Sequence, residues 1–324
     1  MWSRMNILIL SCGTRVKLVE YFKQAGNGFE NVIATDCSSY APALYIADKY
    51  YIVSKMTETN YMDEIVNICK LEKVGVVLPL QEEELLLMAE HKSVFERMNI
   101  LLATSEYQTV ALCKDKYKLY QVLNEMQIPT IKTQLVCDWL KNKQSLSREM
   151  FVKPRMGAGS VGAMRVKTRA FLEALKDENP DQLIVQPYIR GKEYGVDVYV
   201  DFISGQITAL FCKEKIRMRA GETEKSVSVK VPKIKELIIK VVHNLQLKGA
   251  LDIDVLEEKG KYYILEINPR FGGGYPHAYE CGIDFPKMIA QNAANHANVA
   301  LEDKYEIGVI ALKYSDVLIC KNEK

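Results

Sequence analysis

A stretch late in the chain, LDIDVLEEKGKYYILEINPRFGGGYP over Leu251–Pro276, sets the tightest limit on the fold. Val255-Leu256 and Tyr262–Leu265 are apolar runs flanking Glu257–Lys261, a polar connection that contains Gly260. That pattern predicts two antiparallel strands. Side chains alternate along a strand, so Asp252 and Asp254 share a face, as do Glu266 and Asn268 on the second strand. Pro269 has no N–H to continue the ladder and ends it. Acid and amide oxygens then converge beside a glycine-rich loop. Mg²⁺ takes a few such oxygens and completes its octahedron with water and phosphate. An isolated D-x-D or E-x-N is a solvated hairpin; the combination points to a metal.

At 324 residues, 48% apolar and 26% charged, the chain can bury a large core in more than one domain. A net charge of +2 implies no nucleic-acid partner. No run approaches the roughly 18 apolar residues of a membrane span. Ile7–Leu10 is too short for a secretion signal, and Met1–Arg4 reads as an upstream extension with Met5 the natural start. Eight scattered cysteines without a C-x-x-C suit reduced thiols in a cytoplasmic protein. The four histidines lack zinc spacing, and only His277 lies beside the metal hairpin, where it is a candidate for substrate contact.

The first hundred residues alternate between period-2 and helical patterns. Strands are expected at Asn6–Ser11, Asn31–Asp36, Gly75–Leu80 and Ile100–Ala103, with helices at Val16–Ala25, Tyr61–Leu71 and Glu82–Phe95. Such alternation means an open parallel sheet covered by helices, here over residues 1–104. Its first βα turn has one glycine where dinucleotide binding needs three. The unit is therefore a Rossmann-like scaffold and part of a substrate wall, with Gly13, Arg15 and Asp36 as candidates.

A second domain is expected over 105–300, with a small lobe at about 115–185 and a large lobe at about 186–300; a tail over 301–324 packs on the large lobe. Thr109–Met126 reads as one helix carrying Lys114, Asp115 and Lys116. Met150–Pro154 is a strand containing Lys153, followed by Gly157-Ala158-Gly159-Ser160-Val161-Gly162 and a second strand at Ala163–Val166. Strand, glycine loop and strand make a hairpin flap whose backbone N–H groups can cover phosphates, rather than a dinucleotide turn. Thr168 caps a helix at Arg169–Lys176. The strand Gln182–Gln186 breaks at Pro187, leaving backbone groups able to bond an adenine edge, with Tyr188 and Ile189 as apolar contacts.

Glu193–Phe202 and Leu210–Arg219 are further strands, the second carrying Lys213, Lys215, Arg217 and Arg219 on one face. Arg217 and Arg219 are candidates for substrate, together with Gly273, Gly274 and His277. Gly221–Ser226 reads as a mobile loop, Pro232–Leu245 and Phe285–Ala297 as helices, and IGVIAL in the tail as strand-like.

The ordered series resembles the ATP-grasp superfamily of carboxylate–amine ligases, in particular proteins like the carbamoyl-phosphate synthase large subunit. It comprises a lysine on a helix, V-K-P before the flap, Q-P-Y-I-x-G-x-E, and I-D-V paired with E-I-N-P-R. The resemblance covers nearly the whole chain and implies a Rossmann-like domain followed by a two-lobed ATP-grasp fold, α/β then α+β. It implies that Lys116, Lys153 and Gly157–Gly162 contact ATP phosphates, that Gln186 and Ile189 meet adenine, and that Glu193 binds the ribose. Asp254, Glu266 and Asn268 would hold Mg²⁺ (one or two ions, or Mn²⁺), with Asp252 the alternative aspartate. Arg270, with Lys153, would stabilise the transferring phosphoryl group. A single grasp half without a glutaminase argues against carbamoyl phosphate synthesis itself.

The expected reaction activates a small carboxylate as an acyl phosphate and couples it to an amine, releasing ADP and phosphate. A small-molecule kinase keeps the same nucleotide site; a dinucleotide oxidoreductase and a non-catalytic nucleotide-binding protein are the remaining alternatives. Small-molecule acid and amine are the partners, and a homo-oligomer is compatible with the composition.

Overall fold

The computed structural model describes residues 5–24, 28–142, 146, 148–157, 159, 161–300 and 304–320. The first hundred residues form β1 (Met5–Leu10), α1 (Val16–Lys23), β2 (Phe29–Asp36), β3 (Lys49–Ile52), α2 (Tyr61–Leu71), β4 (Val74–Pro79), α3 (Glu82–Glu90), α4 (Lys92–Arg97) and β5 (Leu101–Leu102). All the strands run parallel in the order β3-β2-β1-β4-β5. Ile7, Leu8, Ile9 and Leu10 are all fully buried, because both faces of a parallel sheet are covered. The strand β3 was not foreseen. It is a four-residue edge whose Tyr50 and Ile52 are exposed, so it carries no alternation to read. The helix expected at Glu82–Phe95 is divided at His91, and Ala25 lies outside the described residues.

The next segment contains α5 (Tyr107–Lys114), α6 (Lys116–Glu125), β6 (Gln134–Leu135), α7 (Val136–Lys141), β7 (Met150–Pro154), β8 (Met164–Val166), α8 (Arg169–Ala174) and β9 (Leu183–Pro187). The single helix expected over Thr109–Met126 is two, because Asp115 is extended and caps the second. Its carboxylate accepts from the N–H groups of Tyr117 and Lys118 at 3.1 Å each. The strands make a small antiparallel sheet in the order β6-β9-β7-β8 around Val136, Trp139, Val152 and Leu172. Val152 pairs with Met164 and Phe151 with Arg165, which closes the expected hairpin.

The remainder holds β10 (Lys192–Val200), β11 (Ile207–Arg219), β12 (Glu222–Val229), α9 (Pro232–Leu245), β13 (Gly249–Glu258), β14 (Lys261–Asn268), α10 (Tyr275–Glu280), α11 (Phe285–Ala293) and β15 (Ile310–Leu312). They build a six-stranded antiparallel sheet in the order β14-β13-β10-β11-β12-β15. Gly221–Ser226, expected as a mobile loop, belongs mostly to β12, paired with β11 on one side and β15 on the other. Its inward residues include Ser226 and Ser228, so the strand shows no apolar alternation.

Alternation divides this sheet cleanly. One face, with Val196, Val198, Leu210, Cys212, Leu251 and Ile253, packs on the apolar stripe of α9. The other face is apolar only at one end, where Tyr199, Phe211 and Ala250 share a core with α1 of the first sheet. There Tyr21 stacks on Tyr279 at 3.8 Å between centroids and Phe22 meets Phe271 edge-on. The first sheet is thus fused to the large lobe through buried aromatic surface. Asp201 fastens the same region: its carboxylate accepts from Asn292 and from both the backbone and side chain of Asn298 at 2.6–2.8 Å. Among the described residues no helix is long and apolar enough to cross a membrane.

Candidate active site

The charged end of the same sheet face carries the expected residues. In register, Asp252 lies opposite Asn268, and Asp254 opposite Glu266, with a bulge just beyond Asp254. Across the other edge of β13, Gly195 faces Asp254 and Asp197 faces Asp252. Lys215 of β11 reaches over this row to bond Asp254 at 2.6 Å and Glu193 at 2.8 Å. Burial pushes the Asp254 carboxyl up and Lys215 pulls against it, while Asp252 and Glu193 reinforce the rise. Burial opposes the charge on Lys215, yet Asp254, Glu193 and Asp252 outweigh it and hold the ammonium charged.

Lys153 projects from β7 toward the same patch. It is 8% exposed and makes no ion pair among the described residues. Burial lowers its proton affinity, against the pull of Glu266, Asp254 and Glu193. Lys116 at the first turn of α6 bonds the carbonyl of Gly157 and lies 3.7 Å from Glu266. Its position is fixed by a clamp that sequence reasoning did not pair: Arg155 grips the Asp115 carboxylate at 2.8 and 2.6 Å, while the Lys116 N–H donates to the Arg155 carbonyl. Both residues were visible, but nothing in the sequence signals a contact across forty positions.

Gly157, Gly159 and Gly162 all adopt positive φ, which other residues resist. The tip of the hairpin crosses to the β11–β12 turn, where a Cβ on Gly221 would lie 2.5 Å from the Gly159 carbonyl oxygen. Ser160 lies outside the described residues. At the base of the hairpin, Arg165 sits over the Tyr188 ring at 4.3 Å. The Tyr188 N–H donates to Glu149 and its carbonyl accepts from Arg148, so its backbone is already engaged. Gln186 is buried and its side chain donates to Thr133. Ile189 follows Tyr188 at the surface of the same segment.

Beyond Asn268, Arg270 donates to Asp252 at 3.2 Å and to the Phe271 carbonyl at 3.1 Å. The three glycines that follow are each closed in by a different charged group. A Cβ would fall 2.6 Å from Asp252 at Gly272, 3.2 Å from Glu222 and 3.3 Å from Arg15 at Gly273, and 3.0 Å from Lys213 at Gly274. Lys213 is fully buried; it bonds Asp197 and donates to the Gly274 carbonyl at 3.0 Å.

The cations that reach this face are therefore Lys213 and Lys215. Arg217 and Arg219 lie past a register shift, 62% and 73% exposed, and pair with Glu224. Arg219 also lines a cavity of about 220 Å³ with Glu222, Glu224 and Lys313. His277 does not face the cleft. It is buried behind the loop, with Nδ1 against Ser226 at 2.8 Å and Nε2 against the Val309 carbonyl at 3.2 Å. Burial and then Lys213 push it down to about 4, so it is neutral near neutrality.

The oxygen set fits a hard divalent cation. Among the described residues no group of three or more His, Cys, Asp or Glu side chains is arranged to hold a metal ion by itself. Two acids and an amide oxygen are instead the part-filled set that Mg²⁺ completes with water and phosphate.

Comparisons with known proteins bear on the family and the fold. A family model described as ATP-grasp domain matches residues 113–274, and one described as PylC-like, N-terminal domain matches residues 7–103. The arginine-specific large chain of carbamoyl phosphate synthase from Bacillus subtilis is 22% identical over 260 residues, 75% of this chain and 24% of that one. The chain thus spans about a quarter of the length of that curated relative. N5-carboxyaminoimidazole synthetase from Staphylococcus aureus, solved complexed with ADP, superposes with a TM-score of 0.75 at 17% identity, covering 95% of this chain and 81% of that chain. L-amino acid ligase from Bacillus licheniformis gives 0.72 at 17% identity, covering 95% and 78%. Those two likenesses speak for the fold, and the match of the family model over half the chain shows that the protein belongs to the ATP-grasp family.

Proposed function

We propose that this protein is an ATP-dependent ligase that converts a small-molecule carboxylate to an acyl phosphate and passes the acyl group to an amine. One observation carries the reading: Lys116, Lys153, Glu193, Asp254, Glu266, Asn268 and Arg270, drawn from five separate stretches of chain, gather on one sheet face beneath a glycine hairpin. The two structural neighbours are named as a synthetase and a ligase, which supports the same reaction class.

A carboxylate resists amines because oxide is a poor leaving group; phosphorylation of one oxygen supplies phosphate in its place. That transfer needs positioned cations more than a covalent nucleophile. Lys153, desolvated and drawn toward Glu266, Asp254 and Glu193, is the cation offered to the terminal phosphate. Lys116 ties the hairpin at Gly157 to the same site, and Glu193 takes the ribose hydroxyls. Arg270 stands where negative charge grows on the transferring group, oriented by Asp252 and the Phe271 carbonyl. Asp254, Glu266 and Asn268 would hold Mg²⁺, or Mn²⁺, which would offset the phosphate charge. The hairpin meeting Gly221 limits water at the acyl phosphate. All eight cysteines are unpaired, which fits a cytoplasmic setting.

A screen of acids against amines for ADP release, with mass spectrometry of products, tests the reading. Ligation requires that ADP appear only when both substrates are present. Release with the acid alone, leaving a stable phosphorylated product, would identify a kinase instead.

A further inference from the structure

The first βα turn carries a cation that the nucleotide chemistry does not use. Arg15 follows β1 and lies across the domain junction, its Nη1 against the backbone of Gly273. The guanidinium is half-buried and makes no hydrogen bond or ion pair among the described residues. Its charged neighbours are Arg270, which opposes it, and Glu222 and Asp252, which favour it from beyond bonding distance. Those acids are committed elsewhere, Glu222 to Lys313 and Asp252 to Arg270. Five N–H donors in a planar fork are thus left facing a glycine loop that has no side chain to answer them.

A half-buried guanidinium without a partner still loses part of its hydration, which an anion bonded to the fork would replace. The fork matches a carboxylate in two parallel bonds. Glu222 and Asp252 nearby disfavour a doubly charged phosphate, so a single negative charge balances the pocket. Arg270 already serves the reacting group on the nucleotide side, which leaves Arg15 for a different one.

We propose that Arg15 receives a carboxylate that the ligation does not consume, so that at least one of the two substrates carries a spare carboxylate. The spare group sits either on the acid, making it a dicarboxylate, or on the amine, making it an amino acid. The inference rests on the ligase reading for its substrate, but the subsite itself is testable apart from turnover.

Thermal unfolding of the full chain is measured with succinate, L-alanine or inorganic phosphate, each with MgADP and again without it. Succinate or L-alanine should raise the melting temperature of the wild type and not that of Arg15→Gln, and which of the two does so locates the spare group. Without added anion, Arg15→Gln should melt at or above the wild-type temperature, because an unanswered, half-buried charge has been removed. Arg15→Lys, charged but without the fork, should recover only part of the response. Once substrates are known, Arg15→Gln should raise the KM of the carboxylate-bearing one on the order of tenfold to a hundredfold, leaving that for ATP unchanged. The proposal is overturned if neither carboxylate gives an Arg15-dependent shift, if only phosphate does, or if Arg15→Gln melts well below wild type. An absent MgADP shift in the wild type would instead sink the nucleotide reading.

Discussion

Two glycine-rich segments of this protein face the same cleft and use glycine for opposite reasons. Around Gly157 and Gly159 a side chain would meet nothing within 4 Å; these positions need glycine for their backbone angles. Around Gly272, Gly273 and Gly274 a side chain would strike Asp252, Glu222 and Arg15, or Lys213. There glycine lets four charged groups rest against the main chain. The first segment is held at its base by Arg155 and Asp115 and meets only the main chain of Gly221 near Gly159. The second is a fixed platform whose place is set by ion pairs from three elements. A glycine run by itself distinguishes neither case; what surrounds it does.

The largest expected effect separates base from tip. Asp115→Ala removes both the cap of α6 and the partner of Arg155, and should lower stability by about 4 kcal/mol in urea unfolding. A loss below about 1 kcal/mol would mean the hairpin base is not anchored there.

The next concerns the turn that brings Arg15 to the platform. Glu84 is fully buried, accepts from Ser11 at 2.7 Å and from Tyr61, and supports Ser11 at φ +44°. Burial raises its carboxyl from 4.5 to about 7. The folded state therefore keeps a proton that the unfolded chain releases, so stability is greatest below pH 4.5 and falls as pH rises toward 7. The fall amounts to about 3 kcal/mol. Unfolding midpoints across that range should drop in the wild type and flatten in Glu84→Gln; parallel curves would contradict this account.

Gly272→Ala should cost about 2 kcal/mol, and about a hundredfold in turnover, by displacing Asp252 and with it Arg270. The smallest effect belongs to the tip. Gly221→Ala should raise the KM for ATP about fivefold through its contact with Gly159 and cost about 1 kcal/mol because its φ is +77°. If it proved as damaging as Gly272→Ala, the contrast between cover and platform would be lost.

The sequence showed faces better than depths. Period-2 alternation placed Asp252, Asp254, Glu266 and Asn268 together, and the apolar stripe delimited α9 at Pro232–Leu245. The same alternation put Lys213, Lys215, Arg217 and Arg219 on one side of β11 without telling where the cleft ends. Burial stops after Lys215, because the core neighbours Leu210–Cys212 lie at one end of the strand only. β12 was hidden by serines and glutamates that face partners distant in sequence. His277 looked available beside the metal hairpin, but Ser226 and Val309, tens of residues away, occupy both its nitrogens. Helix breaks at His91 and Asp115 were missed because helical periodicity carries across a single non-helical residue.

The central claim is that the β13–β14 hairpin, the two lysines and the glycine hairpin form one triphosphate site. A crystal structure with Mg²⁺ and a non-hydrolysable ATP analogue tests it most directly. The account predicts metal on Asp254, Glu266 and Asn268, with the terminal phosphate between Lys153 and Arg270. A well-ordered triphosphate bound away from those residues would contradict it.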